Sequence, residues 1–387
     1  MDKNLDKMLS LLVEEIERVE VTRARFGNVM NEIKKKIELS RFPALTSDAV
    51  ESQFITQITP VRLDGLKIAG VDGGLIRKRF RSMDLLLTRA VAVVFEFMST
   101  EGPLVEFYPD AFPEPNARLV LLSMSGPELD QLASLERMAA ELKVTISALD
   151  QFHTDIILVD GSLFYHPRDR PPPGTVAHDK FQEVLALYRQ LYNKIAKKQT
   201  TLVGIVKDSR STRIVNTLGD ILPHILRDPA IYELMQGVDY RWLLKVSRDG
   251  DLLDTFLEEG ERTFAFRYSG ELPQNSNSLH NDLGVYASKI WVTYLKTARD
   301  DLPLRVEIMV KSDGEEGIQQ LNRTLSAILP LSYQHPEYGL PSPIVEADAR
   351  ARISNNEARL IIDRLMALSG LTYSTLEKRR SRNPFGG

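Results

Sequence analysis

Leu66–Gly74 reads LKIAGVDGG and Asp155–Leu163 reads DIILVDGSL. In each stretch a short apolar run closes on an Asp-Gly step, Asp72-Gly73 in the first and Asp160-Gly161 in the second. Short apolar runs bounded by turn residues predict buried strands, here ending at the aspartates. An acidic residue at the carboxyl end of such a strand is held rigidly at the rim of a crevice, and a glycine beside it lets a ligand approach the backbone. One Asp-Gly step is ordinary turn chemistry. Two of them, both closing apolar runs, bring carboxylates together if the strands are neighbours in one sheet.

Working outward, Leu85–Phe97 (LLLTRAVAVVFEF) and Leu104–Tyr108 follow the first stretch with no helical pattern between them, which predicts an antiparallel meander. The period then changes. Pro127–Leu149 reads as helix, Asp155–Val159 as strand, Asp179–Lys198 as helix and Thr201–Val206 (TLVGIV) as strand. Buried strands separated by helices predict parallel pairing with both faces covered. Arg168–Gly174 (RDRPPPG) is a loop, because three consecutive prolines fit neither a helix nor a central strand. Lys289–Thr297 and Leu304–Val310 read as a hairpin across ARDDLP, with helices at about 315–328 and 345–368. The fold expected is α/β: a mixed sheet, antiparallel meander plus parallel strands, flanked by helices.

Residues 3–39 read as one amphipathic helix, with Leu5, Leu9, Leu12, Ile16 and Val19, then Phe26, Met30, Ile33 and Ile37, on one stripe. That stripe must pack on the body of the protein or on a partner subunit. Residues 41–60 form a connector. The expected division is therefore an N-terminal helical segment and connector over 1–60, a main domain over 61–368 and a basic tail over 369–387, with N-terminal and C-terminal helical elements around the sheet.

Composition narrows the chemistry. The 387 residues include no cysteine, which excludes disulfides, thiolate nucleophiles, iron–sulfur clusters and cysteine-based zinc sites. Lys and Arg number 49 against 53 Asp and Glu, a formal charge of −4, which by itself argues against a basic surface. The start lacks a secretion signal and no apolar run approaches the roughly 20 residues of a membrane helix, so a soluble cytoplasmic protein is expected. Converging carboxylates in a chain with 6 His and no Cys point to a hard cation, Mn2+ or Mg2+. Two such ions serve phosphoryl transfer, and they need further carboxylates. The helix between the two key strands offers Glu136 and Glu141, about 140° apart around the helix, so one of them faces the crevice. After TLVGIV, the run Lys207-Asp208-Ser209-Arg210-Ser211-Thr212-Arg213 suits either an anion cradle or an ordinary helix cap.

The order VDGG, a helical glutamate, ILVDGSL, LVGIVKDSRS, PLRVEI and GLPSPIVEADARARI resembles the NurA nucleases over about Leu66–Leu365. The resemblance implies an RNase H-like core, Mn2+ (or Mg2+) for activity, a homodimer, and work beside the HerA hexameric DNA translocase in end resection during double-strand-break repair. By position, Asp72 and Asp160 match the metal-binding aspartates, Glu141 is chosen for the helical glutamate with Glu136 in reserve, and Lys207 matches the lysine after the next strand. In the late motif, Leu340 stands where the family has tyrosine and Asp348 where it has histidine. Aspartate ligates the same cations but is no neutral-pH proton carrier. His335 lies nearby in sequence and could substitute, or sit on the surface.

The implied chemistry is metal-assisted phosphodiester hydrolysis, with Asp72, Glu141, Asp160 and Asp348 as ligands and Lys207 offsetting phosphate charge. Arg77, Lys78, Arg79 and Arg81, with Arg210 and Arg213, are the expected DNA contacts, and the tail run Lys378, Arg379, Arg380 and Arg382 is either a solvated run or a flexible contact. Phe80, Phe164 and Tyr165 either stack on bases or pack internally. Two other readings stand: a nucleotide-binding protein of the actin and sugar-kinase type, which shares the core and the Asp-Gly-Gly turn, and a catalytically weakened adaptor marked by Asp348.

Overall fold

A computed structural model of the chain describes residues 3–81, 83–99, 102–121, 124–165, 170–271, 278–334 and 337–370. The tail run, His335 and Arg168 lie outside the described residues. Helix α1 spans Lys3–Ile33, and strand β1, Ile55–Gln57, falls in the stretch expected to be a connector. Strands β2 (Lys67–Arg79), β3 (Asp84–Glu96), β4 (Leu104–Tyr108) and β5 (Asn116–Val120) follow. Helix α2 (Gly126–Phe152), strand β6 (Ile156–Asp160), helix α3 (Val176–Lys197) and strand β7 (Thr201–Val206) alternate as expected. Next come helices α4 (Arg213–Ile225), α5 (Pro229–Met235), α6 (Tyr240–Val246) and α7 (Asp249–Leu253), then strands β8 (Glu261–Thr263) and β9 (Phe266–Arg267). Helix α8 (Ser278–Leu283), strands β10 (Ile290–Leu295) and β11 (Leu304–Met309), and helices α9 (Glu315–Leu331), α10 (Ser342–Ala351) and α11 (Asn355–Ser369) follow among the described residues. No described helix is long and apolar enough to cross a membrane.

The chain divides into two compact units. The first comprises Leu63–Gly204, Ser276–Tyr286 and Ser342–Gly387. Its strands run in the order β7-β6-β2-β3-β4, with β5 also beside β3. The pairs β2–β3 and β3–β4 are antiparallel, whereas β2–β6 is parallel, with Val71 opposite Val159. A three-stranded meander continued by the parallel strand β6, with β7 beyond it and each of the two reached through a helix, is the arrangement expected of an RNase H-like core. Local chemistry sets the helix starts. At α2, Ser125 and Glu128 form a reciprocal capping box with proline at the helix start. The helix expected at 345–368 is two helices, α10 and α11, because the Ser354 side chain accepts the Glu357 amide and starts a new one.

Strand β2 departs from expectation in a way that matters for the site. The apolar run does not end at Asp72; the strand runs straight through Asp72-Gly73-Gly74 to Arg79. The glycines are there for close packing, not for a turn. A β-carbon at Gly74 would lie 2.0 Å from the Ala351 carbonyl oxygen and one at Gly70 would lie 2.1 Å from that of Pro343, both on α10. A β-carbon at Gly73 would instead lie 2.5 Å from Oε1 of Glu141 on α2. Since successive residues of a strand face opposite ways, α10 and α2 press on opposite faces of β2.

The second unit comprises Met1–Arg62, Ile205–Asn275 and Ala287–Pro341. Strands β1, β8, β10 and β11 pair antiparallel in that order, and the β10–β11 hairpin is the one expected. Phe26, Met30 and Ile33 of α1 are buried here, and Phe26 meets Phe256 edge-on. Leu5, Leu9, Leu12 and Ile16, on the same helix, are exposed. The core of this unit holds charge. Arg262, fully buried, places Nη2 2.9 Å from Glu51 and Nε 2.9 Å from Asn322, and buried Lys34 pairs with Glu261 at 2.6 Å. Buried ions persist when every donor is met in this way.

Candidate active site

Asp72 lies in the middle of β2 and is buried, with 4% of its surface exposed. Its Oδ1 accepts the Gly73 amide at 2.6 Å. Because it stands two residues from both Gly70 and Gly74, its β-carbon shares their face, the α10 side of the strand. Asp160 is the last residue of β6, and Gly161 follows it at φ 107, a left-handed turn that glycine adopts without strain. The parallel register of Val71 with Val159 sets Asp72 and Asp160 at the same level of adjacent strands, about 5 Å apart at the backbone.

Glu141 reaches this pair from α2. The space a Gly73 side chain would fill is taken by the Glu141 carboxylate. Burial, together with the nearby charges of Asp72 and Asp160, pushes its carboxyl up to about 8, and the Arg137 guanidinium pulls the other way. Arg137 Nη1 stands 3.0 Å from Glu141 Oε1, yet that oxygen has no hydrogen bond of good geometry, so the pair is a contact of charges. Glu136 is engaged elsewhere, by Arg118 and by Lys180 at 2.8 Å. A cavity of about 30 Å3, with room for a water molecule, is lined by Glu141 and Asp160 together with Thr145 and Ser162. Thr145 is the residue one turn after Glu141, a helical spacing that could have suggested it. Ser162 lies two residues past Asp160 in the ILVDGSL run, where no local pattern sets its hydroxyl apart.

Asp348 sits on α10, next to Ala347 in the stripe that faces β2 and β3, and pairs with Arg352 at 2.9 Å. Lys207 follows the last residue of β7 directly, in the second unit. Of the basic residues expected to meet DNA, Arg77 pairs with Asp130 of α2, and Arg79 donates to the Gly126 carbonyl at 3.3 Å. Lys78 is partly exposed on the Asp72 face of β2, and Arg81 is exposed just beyond the strand. Arg213 forks onto Asp48 within the second unit, where Arg210 lies in the loop before α4. The aromatics named from sequence are core residues: Phe80, Phe164 and Tyr165 are all buried, and the last two touch each other with ring centres 4.2 Å apart.

Asp72, Glu141 and Asp160 interact through their charges, and the repulsion that raises Glu141 is of the kind a hard divalent ion relieves. Among the described residues no three carboxylate or imidazole groups are already closed into a ligand set, so the acids stand within electrostatic range of one another without enclosing a point.

The NurA domain family model matches residues 66–353. The fold is similar to that of the NurA nuclease from Sulfolobus solfataricus, with 14% identity over 96% of this chain and 99% of that one and a TM-score of 0.55. A NurA structure solved with manganese matches at 13% identity over 95% of this chain and 98% of that one, with a TM-score of 0.46. No curated protein matches the sequence. The family match covers the whole span from the first key strand to the end of α10, and the chain belongs to the NurA domain family.

Proposed function

We propose that the chain is a divalent-metal-dependent nuclease that hydrolyses phosphodiester bonds at DNA ends, as a homodimer in partnership with a HerA-type hexameric translocase. The single observation that carries this reading is the placing of Asp72 and Asp160 at one level of adjacent strands, with Glu141 of α2 within electrostatic range of both. Membership of the NurA family supports the reaction class, and a donor set made only of carboxylate oxygens suits a hard divalent cation. Asp72, Glu141, Asp160 and Asp348 would hold Mn2+ or Mg2+, which when bound supplies an acidified water and a counter-charge for the departing oxygen.

The chain's own groups do the rest. The β2–β6 pair fixes Asp72 and Asp160 in register, and α2 holds Glu141 where solvent does not reach it freely. Lys78 and Arg81 would guide the strand past the Asp72 face. The exposed stripe of α1 supports self-association.

The test is cleavage of end-labelled single- and double-stranded DNA with Mn2+, Mg2+ or EDTA. Wild type should cut with metal, and Asp72→Asn should not while keeping its circular dichroism spectrum. Full activity of that variant overturns the assignment. The product ladder separates exonuclease from endonuclease action. The adaptor reading draws on the Asp348–Arg352 pair, which occupies the residue standing in for the family histidine; titration with Mn2+ that yields no binding heat would favour it.

A further inference from the structure

The aromatic side chains selected from sequence are buried, but an exposed one stands on the same sheet face as Asp72. Phe112 follows β4 and is 65% exposed. The Arg350 guanidinium carbon lies over its ring, 4.6 Å from the centroid, and also over the ring of Phe107, 4.8 Å away. Glu346 steadies the same guanidinium at 3.3 Å. Phe107 belongs to β4 and packs on the cluster of Val91, Val93, Ala347 and Ala351, so the inner end of this stack is anchored in the core.

Strand register locates the stack. Phe107 lies opposite Val93 on β3, and Val93 lies opposite Gly70 on β2. Directly paired residues point to one face, so Phe107, Val93 and Gly70 share the α10 side, and Asp72, two residues on from Gly70, shares it too. Two strand spacings put the Phe107 backbone about 10 Å from Gly70. A strand whose phosphate lay at Asp72 would pass the stack within a few nucleotides.

We propose that Phe112, backed by Arg350 and Phe107, is a stacking platform for an unpaired nucleobase, and that it biases the enzyme toward single-stranded or frayed DNA. This rests on the nuclease reading above. A guanidinium behind the ring fixes its orientation and leaves the outer face to a flat, polarisable partner. Bases within a duplex already stack on one another and cannot use it. The platform reads no sequence, because every base offers a π-face.

The test uses the full chain carrying Asp72→Asn, so that DNA is bound and not cut, with Mn2+ present. Binding of a fluorescent single-stranded oligonucleotide and of a blunt duplex of equal length is measured by anisotropy. Adding Phe112→Ala should weaken single-strand binding about tenfold, and Phe112→Trp should restore it. Single-strand affinity unchanged by Phe112→Ala, or an equal loss on the blunt duplex, overturns the proposal. Wild-type cleavage assayed in parallel tests the nuclease reading separately: absence of cleavage with intact, Phe112-dependent single-strand binding would remove that reading and leave the platform.

Discussion

Replacing Glu141 with glutamine should make the metal-free protein more stable at neutral pH while abolishing its response to Mn2+. Burial and the neighbouring Asp72 and Asp160 raise this crowded carboxyl from the ordinary 4.5 to about 8. The folded state therefore holds the proton more tightly than the unfolded chain does. Stability is greatest below pH 4.5, falls as pH rises toward 8, and is level above that. The gap is worth about 5 kcal/mol once both states have lost the proton, and about 3 kcal/mol at pH 7. Glutamine keeps the shape, carries no proton to lose and is spared this penalty. Chemical denaturation in EDTA at pH 4.5, 7 and 9 should thus find the variant level with wild type at the lowest pH and ahead by about 3 kcal/mol at pH 7. Added Mn2+ should then raise the wild-type midpoint and leave the variant's where it was. A variant no more stable than wild type at pH 7, or a difference independent of pH, would refute the claim that the acids are packed together against their own repulsion.

Three further outcomes follow from the packing. Gly74→Ala should cost about 3 kcal/mol in a denaturant titration, because the added β-carbon would meet the Ala351 carbonyl, a backbone atom that no rotamer change can move aside. Asp249, fully buried, accepts Ser211 Oγ at 2.8 Å, the Val215 amide at 2.9 Å and the Tyr294 hydroxyl at 2.9 Å; Asp249→Ala strands those donors and should lower stability by about 3 kcal/mol, while an unchanged midpoint would deny that it anchors the start of α4. Glutamates at Leu9, Leu12 and Ile16 should convert the proposed homodimer to monomer by light scattering, since these side chains are exposed along one stripe of α1; an unaltered mass would mean that the stripe serves something other than self-association.

The alternation of helices with apolar runs predicted the parallel part of the sheet, because a strand covered on both faces must be apolar throughout and leaves a plain mark in sequence. The hairpin at 290–309 was visible for a similar reason. Segments whose meaning depends on distant partners were not visible. Strand β1 is three residues long and pairs with β8, some two hundred positions away, so no local period announces it. The aromatics at 80, 164 and 165 carry no sign of their burial, which the elements packed around them decide. Phe112 and Arg350 are distant in sequence and meet through the pairing of β4 with β3 and the seating of α10 on β2.

The Asp-Gly steps show how one motif can arise from two different local structures. At Asp160 the expected logic holds: the strand stops, and Gly161 takes a left-handed turn. At Asp72 the strand does not stop, and the glycines admit two helices from opposite faces. That difference bears on how the candidate site is built. A carboxylate at a loop tip can move, whereas Asp72 sits within a strand, opposite Val91 of β3 and one residue past the Val71–Val159 pair with β6. The missing side chain at Gly73 is what allows Glu141 to come within charge range of it. Restoring that side chain would force the helix outward and separate the acids. On this account Gly73 belongs to the site as much as the acids do, because the raised carboxyl of Glu141 depends on the space that glycine leaves.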